Sequence, residues 1–162
     1  QMNELLIVLE KLDNTHLIFT MPNADTDGRV LFKIIENFVT NHPHAKSFTS
    51  LGQLRYLSCI QHVDGVVGNS SSGLAEVPTF KKGTINIGDR QRGRIKANSV
   101  IDCKPTKESI QNAIKRLYSK DFQNTLMSVE NPFGSGNVAE KIMDVLKKYS
   151  IPEALKKEFY DL

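Results

Sequence analysis

Two kinds of segment alternate along the chain: short runs rich in Val, Ile, Phe and Thr, and longer stretches in which apolar residues recur every three or four positions. The short runs predict buried strands, and the longer stretches predict amphipathic helices. The predicted strands cover about residues 16–20, 45–48, 64–68, 84–87 and 99–102. The predicted helices cover about residues 28–41, 52–61, 72–77, 107–118, 121–128 and 136–149. This alternation of strands and helices is typical of an α/β fold with a parallel sheet.

Helical patterns also stand at both ends of the chain. Near the start, Leu5, Leu6, Leu9 and Leu12 share one helix face, and no N-capping residue precedes them. We therefore expect the sequence to be a piece of a longer polypeptide. The last segment, IPEALKKEFYDL, follows a break at a proline and is amphipathic. The expected organisation is one domain over residues 1–150 and a helical tail over residues 151–162.

Composition narrows the classes of partner. Of the 162 residues, 40% are hydrophobic and 24% charged, and no segment approaches the roughly 18 apolar residues of a membrane span. The net charge is +3, and basic residues are dense only between Lys81 and Lys96. A short basic cluster favours a small anionic ligand over nucleic acid, which would require a longer basic stripe interleaved with aromatic residues.

The two cysteines, Cys59 and Cys103, lie on apolar stretches and have neither metal-ligand spacing nor the pattern of a disulfide framework. No cluster of His, Cys and carboxylate residues has ligand spacing either. We expect reduced thiols in a cytoplasmic protein that binds no metal, nucleic acid or membrane.

Three polar, glycine-containing segments follow predicted strands: PNADTDG, GNSSSG and GDRQRGR. In an open parallel sheet, ligands bind beyond the carboxyl ends of the strands, where loops lead into helices. The three segments are therefore expected at one edge of the sheet, around one ligand.

The GNSSSG segment has the composition of a phosphate-binding loop. Gly68 allows a tight turn after the strand, and Ser70, Ser71 and Ser72 then stand at the start of a predicted helix. Unpaired backbone N–H groups and serine hydroxyls at such a position can donate to a diphosphate. The alternative is that a serine only caps the helix. The segment has neither the lysine of a P-loop nor the spacing of GxGxxG.

Glu76 lies about one helical turn beyond the serines. A carboxylate at that position can accept hydrogen bonds from two neighbouring hydroxyl groups, as ribose recognition requires. The alternative is a solvated glutamate on a helix surface.

Together, these segments carry a resemblance. The stretch GNSSSGLAEVPTFKKGTINIGDRQRGR closely resembles the C-terminal domain of the hydrolysing UDP-N-acetylglucosamine 2-epimerases of sialic acid synthesis. PNADTDGR at 22–29 and NPFGSGNVAEKI at 131–142 also resemble segments of that family, and the similarity covers residues 16 to 148. The resemblance implies a Rossmann-like, three-layer α/β domain that is the C-terminal half of a two-domain, glycosyltransferase-B-like fold. Residues 1–150 would be its UDP-binding domain, and the tail would pack toward the N-terminal domain.

The resemblance also implies roles for individual residues. Ser70 and Ser71 would hold the diphosphate, with Asn69 and Ser72 completing the loop, and Glu76 would bind the ribose hydroxyls.

The base and the sugar-phosphate end would be held by other segments. Tyr56 would stack on uracil, although an aromatic residue at this position can also belong to the core. Arg90 would lie near the phosphates or the sugar, and Asn23 and Asp25 would line the opposite lip of the cleft.

In the family, UDP is eliminated after proton abstraction beside the anomeric carbon, and water then adds with the opposite configuration at C2. The acid and base groups come mainly from the N-terminal domain, so we expect no catalytic residue in this chain and no cofactor. The family often has Gly-Asp-Gly where this sequence has Gly134, Ser135 and Gly136, so the resemblance implies no acidic role at this position.

Three alternatives stay open from the sequence. The substrate can be a UDP-2,4-diacetamido-trideoxyhexose, the enzyme can be a glycosyltransferase, or the protein can be a nucleotide-sugar sensor without catalysis. In each case the partners are UDP or a UDP-sugar and the N-terminal domain, and the complete protein is expected to be a homo-oligomer.

Overall fold

The computed structural model describes residues 1–21 and 28–150. In these ranges it contains five strands, seven α-helices and one 3₁₀ helix. The strands are β1 (Leu17–Thr20), β2 (Ala45–Phe48), β3 (Gly65–Gly68), β4 (Gly83–Ile87) and β5 (Val100–Cys103). The helices are α1 (Met2–Leu9), α2 (Gly28–Asn41), α3 (Gly52–His62), α4 (Ser72–Ala75), the 3₁₀ helix (Val77–Phe80), α5 (Lys107–Leu117), α6 (Lys120–Met127) and α7 (Val138–Lys148).

All the strand pairs are parallel, and helices connect successive strands except where the loop 88–99 joins β4 to β5. The expected α/β fold is therefore confirmed. The strands hydrogen-bond in two groups, β1 with β2, and β3 with β4 with β5. Within the described residues, no strand pairing joins the two groups into the single ladder that the sequence suggested.

The core lies around β4, whose five residues are all buried. Ile85 and Ile87 of β4 form one buried cluster with Ile110 of α5 and with Leu5 and Val8 of α1. A strand buried along its whole length is typical of the centre of a parallel sheet that is covered by helices on both faces. β4 is therefore the element that positions the loops at its ends.

The predicted helix 72–77 is shorter in the structure. It ends at Ala75, Glu76 forms the junction, and a 3₁₀ helix runs from Val77 to Phe80. Pro78 lacks a backbone N–H and cannot continue an α-helical ladder, which is a physical reason for the change of helix type. Glu76 thus lies between two short helices instead of inside one.

One predicted amphipathic helix keeps its apolar side exposed. Every residue of α7 is exposed, including Val138, Ile142, Val145 and Leu146, which share a face. No helix among the described residues has the length and apolar character to cross a membrane. Residues 151–162, for which the sequence predicts a helical tail, lie outside the described ranges.

Candidate functional site

The carboxyl ends of β3 and β4 carry the two loops that the sequence predicts to meet. Gly68 of β3 is paired with Asn86 of β4, so the loop after each strand starts on the same edge. We call residues 69–72 the serine loop and residues 88–99 the arginine loop. The side-chain amide of Gln91 donates to the backbone oxygen of Asn69 over 2.7 Å. Arg90 also reaches this residue, with 3.5 Å between its Nη1 and the side-chain oxygen of Asn69.

The serine loop presents two exposed serines. Ser71 stands at the N-cap of α4, but its side chain makes no capping hydrogen bond. The Ser70 hydroxyl accepts one long bond of 3.4 Å from the backbone N–H of Ser72. Within residues 1–21 and 28–150, no hydrogen bond engages the backbone N–H groups of Ser70 and Ser71. Helix capping therefore explains one hydrogen bond of the Ser70 hydroxyl, but it does not explain the presence of the Ser71 side chain.

A series of hydrogen bonds links the residue predicted to stack on uracil with the residue predicted to bind the ribose. The Tyr56 hydroxyl on α3 lies 2.6 Å from the Ser72 hydroxyl, which in turn donates to Oε2 of Glu76 over 2.5 Å. All three side chains are half-buried. Ser72 and Glu76 are four residues apart, the spacing that places side chains on one helix face. The structure thus brings Tyr56, Ser72 and Glu76 into direct contact.

Arg90 is exposed at the edge of this group. Among the described residues, no carboxylate lies within salt-bridge distance of its guanidinium. A planar guanidinium without an internal ion pair retains its donors for an anionic ligand. Arg92 and Arg94 are exposed as well.

The arginine loop is fixed by buried polar groups that the sequence analysis did not single out. Gln91 is only 2% exposed, and its amide oxygen has no hydrogen-bond partner within the described residues. The residue type alone would not identify it, because glutamine is mostly exposed in proteins. Its position in the Arg-Gln-x-Gly-Arg motif was the available signal.

A second attachment holds the other end of the arginine loop to the sheet. Lys96 contacts both carboxylate oxygens of Asp102 at 2.7 and 2.8 Å, and Asn86 donates to the same carboxylate over 2.6 Å. Burial alone would raise the pKa of Asp102, but the hydrogen bonds from Lys96 and Asn86 and the charge of Lys96 lower it below its ordinary value. The loop is therefore tied to β5 by an ion pair.

Asn131 attaches the segment after α6 to the region of Glu76. Its side-chain amide donates to the backbone oxygen of Ala75 over 2.8 Å and to the Thr79 hydroxyl over 2.7 Å. Its side-chain oxygen accepts from the backbone N–H of Phe133 over 2.9 Å, an Asx turn. The Asn-Pro pair in the sequence was the signal for a turn here, but the contacts with α4 and the 3₁₀ helix are long-range.

Of the described residues predicted to bind UDP, Ser70, Ser71 and Arg90 are exposed, and the others are half-buried. A separate cleft of about 670 Å³ lies beside them, at the carboxyl ends of β4 and β5, and Gly88, Asp89 and Cys103 are among its lining residues. Burial, with the charge of Asp102, raises the pKa of the Cys103 thiol, which therefore stays protonated at neutral pH. Both cysteines are free and half-buried.

Asn23 and Asp25 lie outside the described residues. His42 follows α2 and precedes β2, which places it at the amino edge of the strands, and it stacks on Phe38 with 3.9 Å between ring centroids. In the described part of the chain, no group of three or more His, Cys, Asp or Glu residues has the arrangement of a metal site.

Comparison with known proteins decides the family. The family model described as UDP-N-acetylglucosamine 2-epimerase matches residues 1–147. This chain belongs to that family. The match covers both the serine loop and the arginine loop, so the edge described above is part of the family's own domain.

Two curated relatives of the family align with the whole chain. One is a GDP/UDP-N,N'-diacetylbacillosamine 2-epimerase (hydrolyzing) of Campylobacter jejuni, which is 38% identical. The other is the polysialic acid biosynthesis protein P7 of Escherichia coli, which is 36% identical. The chain spans 42% of the length of each of these relatives.

The fold is shared with solved epimerase structures. The Methanocaldococcus jannaschii UDP-GlcNAc 2-epimerase, solved in complex with UDP-GlcNAc and UDP, matches with a TM-score of 0.68 at 17% identity. The match covers 90% of this chain and 39% of that structure. It establishes the glycosyltransferase-B-like α/β architecture of this domain.

Proposed function

We propose that this chain binds UDP and is the nucleotide-binding part of a hydrolysing UDP-sugar 2-epimerase. The observation that carries the proposal is the convergence, at one sheet edge, of the exposed Ser70 and Ser71, the Glu76 carboxylate and the exposed Arg90 guanidinium, which has no carboxylate partner in the described part of the chain. A nucleoside diphosphate requires donors for its phosphates and an acceptor for its ribose hydroxyls. The name of the Campylobacter jejuni relative, a hydrolyzing 2-epimerase, agrees with this function.

The residues divide between the parts of the ligand. Ser70, Ser71 and Arg90 bind the diphosphate, because they supply hydroxyl, backbone and guanidinium donors, and no carboxylate among the described residues pairs with Arg90. Glu76 accepts from the ribose hydroxyls, and the Tyr56 ring stacks on uracil.

The remaining predicted ligands support this arrangement. Asn69 joins the two loops through its contacts with Gln91 and Arg90. Ser72 contacts Glu76. The resemblance assigns Asn23, which is outside the described residues, to the opposite lip of the cleft.

The contribution of this domain to catalysis is electrostatic. Elimination of UDP places negative charge on the leaving diphosphate, and donors already directed at that position stabilise the transition state. Proton removal and proton delivery fall to groups of the N-terminal domain. The complete protein is expected to be a cytoplasmic homo-oligomer.

The sugar substrate is proposed to be UDP-N-acetylglucosamine, with N-acetylmannosamine and UDP as products. A second candidate is a UDP-2,4-diacetamido-trideoxyhexose, which the 38% identity to a diacetylbacillosamine epimerase favours. The N-terminal domain makes most of the contacts that distinguish one sugar from another. Incubation of the complete protein with each UDP-sugar, without an acceptor, distinguishes them by which free sugar is released. Release of neither sugar without an acceptor, and transfer once one is added, would instead indicate a glycosyltransferase.

Replacement of both Ser70 and Ser71 by alanine in the complete protein tests the role of the serine loop. Each hydrogen bond to the charged diphosphate contributes about 1.5–3 kcal/mol. We therefore expect kcat/KM of the double variant to fall by about a hundredfold or more, with a melting temperature close to that of the wild type. The matched control is Ser128→Ala, an exposed serine at the end of α6. A double variant with unchanged kcat/KM would refute the assignment.

A further inference from the structure

The hydrogen-bond chain from α3 to Glu76 has a defined direction. The Ser72 hydroxyl has a single hydrogen, and the Glu76 carboxylate accepts it. The Tyr56 hydroxyl lies 2.6 Å from the Ser72 oxygen, where either atom can be the donor by distance alone. Because the Ser72 hydrogen is already used, Tyr56 must donate to Ser72. The order is Tyr56 to Ser72 to Glu76.

The Tyr56–Ser72–Glu76 hydrogen bonds occupy one oxygen of the Glu76 carboxylate and leave the other oxygen available to a ligand. Oε2 accepts from Ser72, whereas within the described residues Oε1 has no hydrogen-bond partner. The backbone of Glu76 is fixed as well. Its N–H donates to the backbone oxygen of Ser72 over 2.9 Å, and its carbonyl oxygen accepts from the backbone N–H of Thr79 over 3.1 Å. With the backbone held, the only freedom left to the carboxylate is rotation of the side chain, and the bond from Ser72 restricts that rotation.

We propose that the Tyr56 hydroxyl, acting through Ser72, is a positioning group that orients the Glu76 carboxylate toward the two ribose hydroxyls and so sets the preference for a ribonucleotide. The inference rests on the proposed function, because it assigns the ligand of Glu76. Tyr56 then has two separable roles: its ring contacts the base, and its hydroxyl acts on the sugar through Ser72. A phenylalanine at this position would keep the first role and lose the second.

The energetic argument follows from side-chain freedom. A glutamate that is free to rotate loses rotamer entropy when it binds a ligand, and this cost weakens binding. A glutamate that is already held by Ser72 loses less rotamer entropy when the ligand binds. Removing the Tyr56 hydroxyl leaves the Ser72 hydroxyl free to turn away from Glu76, so the carboxylate becomes mobile.

The test compares two ligands in the complete protein that contains this chain, by calorimetric titration with UDP and with 2′,3′-dideoxy-UDP. The wild type is expected to prefer UDP by about tenfold or more. In Tyr56→Phe the preference is expected to fall to about threefold, through weaker binding of UDP alone. The matched control is Tyr118→Phe, which removes the hydroxyl of an exposed tyrosine that contacts Asp64 at the opposite end of β3. That variant keeps the full preference.

A double-mutant cycle separates the relay from a local effect of Tyr56. If Tyr56 acts through Ser72, then adding Tyr56→Phe to Ser72→Ala causes no further loss of preference. In turnover assays Tyr56→Phe raises KM and leaves kcat within twofold, because the ribose contact is equal in the ground and transition states.

The inference is overturned if Tyr56→Phe weakens UDP and 2′,3′-dideoxy-UDP equally, if it leaves the preference intact, or if the two variants act additively. A wild type that binds neither nucleotide would overturn the proposed function itself. A wild type that binds both nucleotides equally would leave UDP binding in place and remove the role of Glu76 in ribose recognition, and the relay with it.

Discussion

At the scale of single residues, the site depends on how closely α4 approaches β4. Gly73 packs against Thr84, and a Cβ atom at Gly73 would lie only 2.6 Å from the Thr84 methyl carbon. The Thr84 hydroxyl donates to the backbone oxygen of Gly73 over 2.8 Å. The glycine in GNSSSG is therefore needed for helix-strand contact. This contact holds the serine loop above the end of the sheet.

Substitution of Gly73 by alanine is expected to destabilise the domain by about 1–3 kcal/mol. Gly73 and Thr84 are both buried, so the added methyl group can be accommodated only by a shift of the backbone. Adding Thr84→Ser removes the methyl group and keeps the hydroxyl, so the double variant should recover at least half of the loss. Urea unfolding of the wild type, both single variants and the double variant measures this. A double variant less stable than Gly73→Ala alone would show that the methyl contact is not the cause.

At the scale of elements, the arginine loop is held at two points. Gln91 attaches it to the serine loop, and the Lys96–Asp102 pair attaches it to β5. These two attachments, to the loop after β3 and to β5, lie on either side of β4 and keep Arg90 at the same edge as Ser70 and Ser71. The loop is thus positioned by contacts distant in sequence.

The Lys96–Asp102 pair predicts a pH dependence of stability. The pKa of Asp102 is lower in the folded protein than its ordinary value of 3.8, so the pair stabilises the fold above about pH 4 and ceases to do so as the pH falls through the folded-state pKa. Lys96→Met is expected to cost less than about 1 kcal/mol at pH 7, since the Asp102 side chain is 54% exposed. The difference from the wild type should shrink below pH 4.

Urea unfolding of both proteins at a series of pH values from 7 to 3 checks this expectation. The matched control is Lys46→Met, which changes an exposed lysine on β2. If the difference between Lys96→Met and the wild type were the same at every pH, titration of Asp102 would not be its cause.

At the scale of the whole molecule, much of the fold follows from local pattern. All five strands and the helices from α2 to α7 lie close to where periodicity predicts them. Helices α2, α5 and α6 bury apolar residues of their predicted faces, whereas the apolar face of α7 is exposed. The predicted helix 72–77 was too long, since α4 ends at Ala75, although Pro78 in the sequence was a signal for an early end. The division of the strands into two ladders depends on pairing between distant segments, which periodicity does not encode.

The candidate site was predictable in part. The serine loop, Glu76 and Arg90 could be proposed because motif and resemblance mark them, and the structure places them on one edge. The Tyr56–Ser72–Glu76 hydrogen-bond chain and the contacts of Asn131 could not be found from sequence, and for the buried Gln91 the only signal was its position in the motif. Each depends on side chains that meet only after the strands align, and the residue types involved are common on protein surfaces.

The central claim is that this molecule binds a nucleoside diphosphate at the serine loop. The most direct measurement is calorimetric titration of the chain with UDP, with uridine as the control ligand, repeated for Ser70→Ala and Glu76→Ala. The account predicts saturable binding of UDP, at least tenfold weaker binding of uridine because the diphosphate contacts are lost, and weaker UDP binding by both variants. Equal affinity for UDP and uridine, or UDP affinity unchanged in both variants, would contradict it.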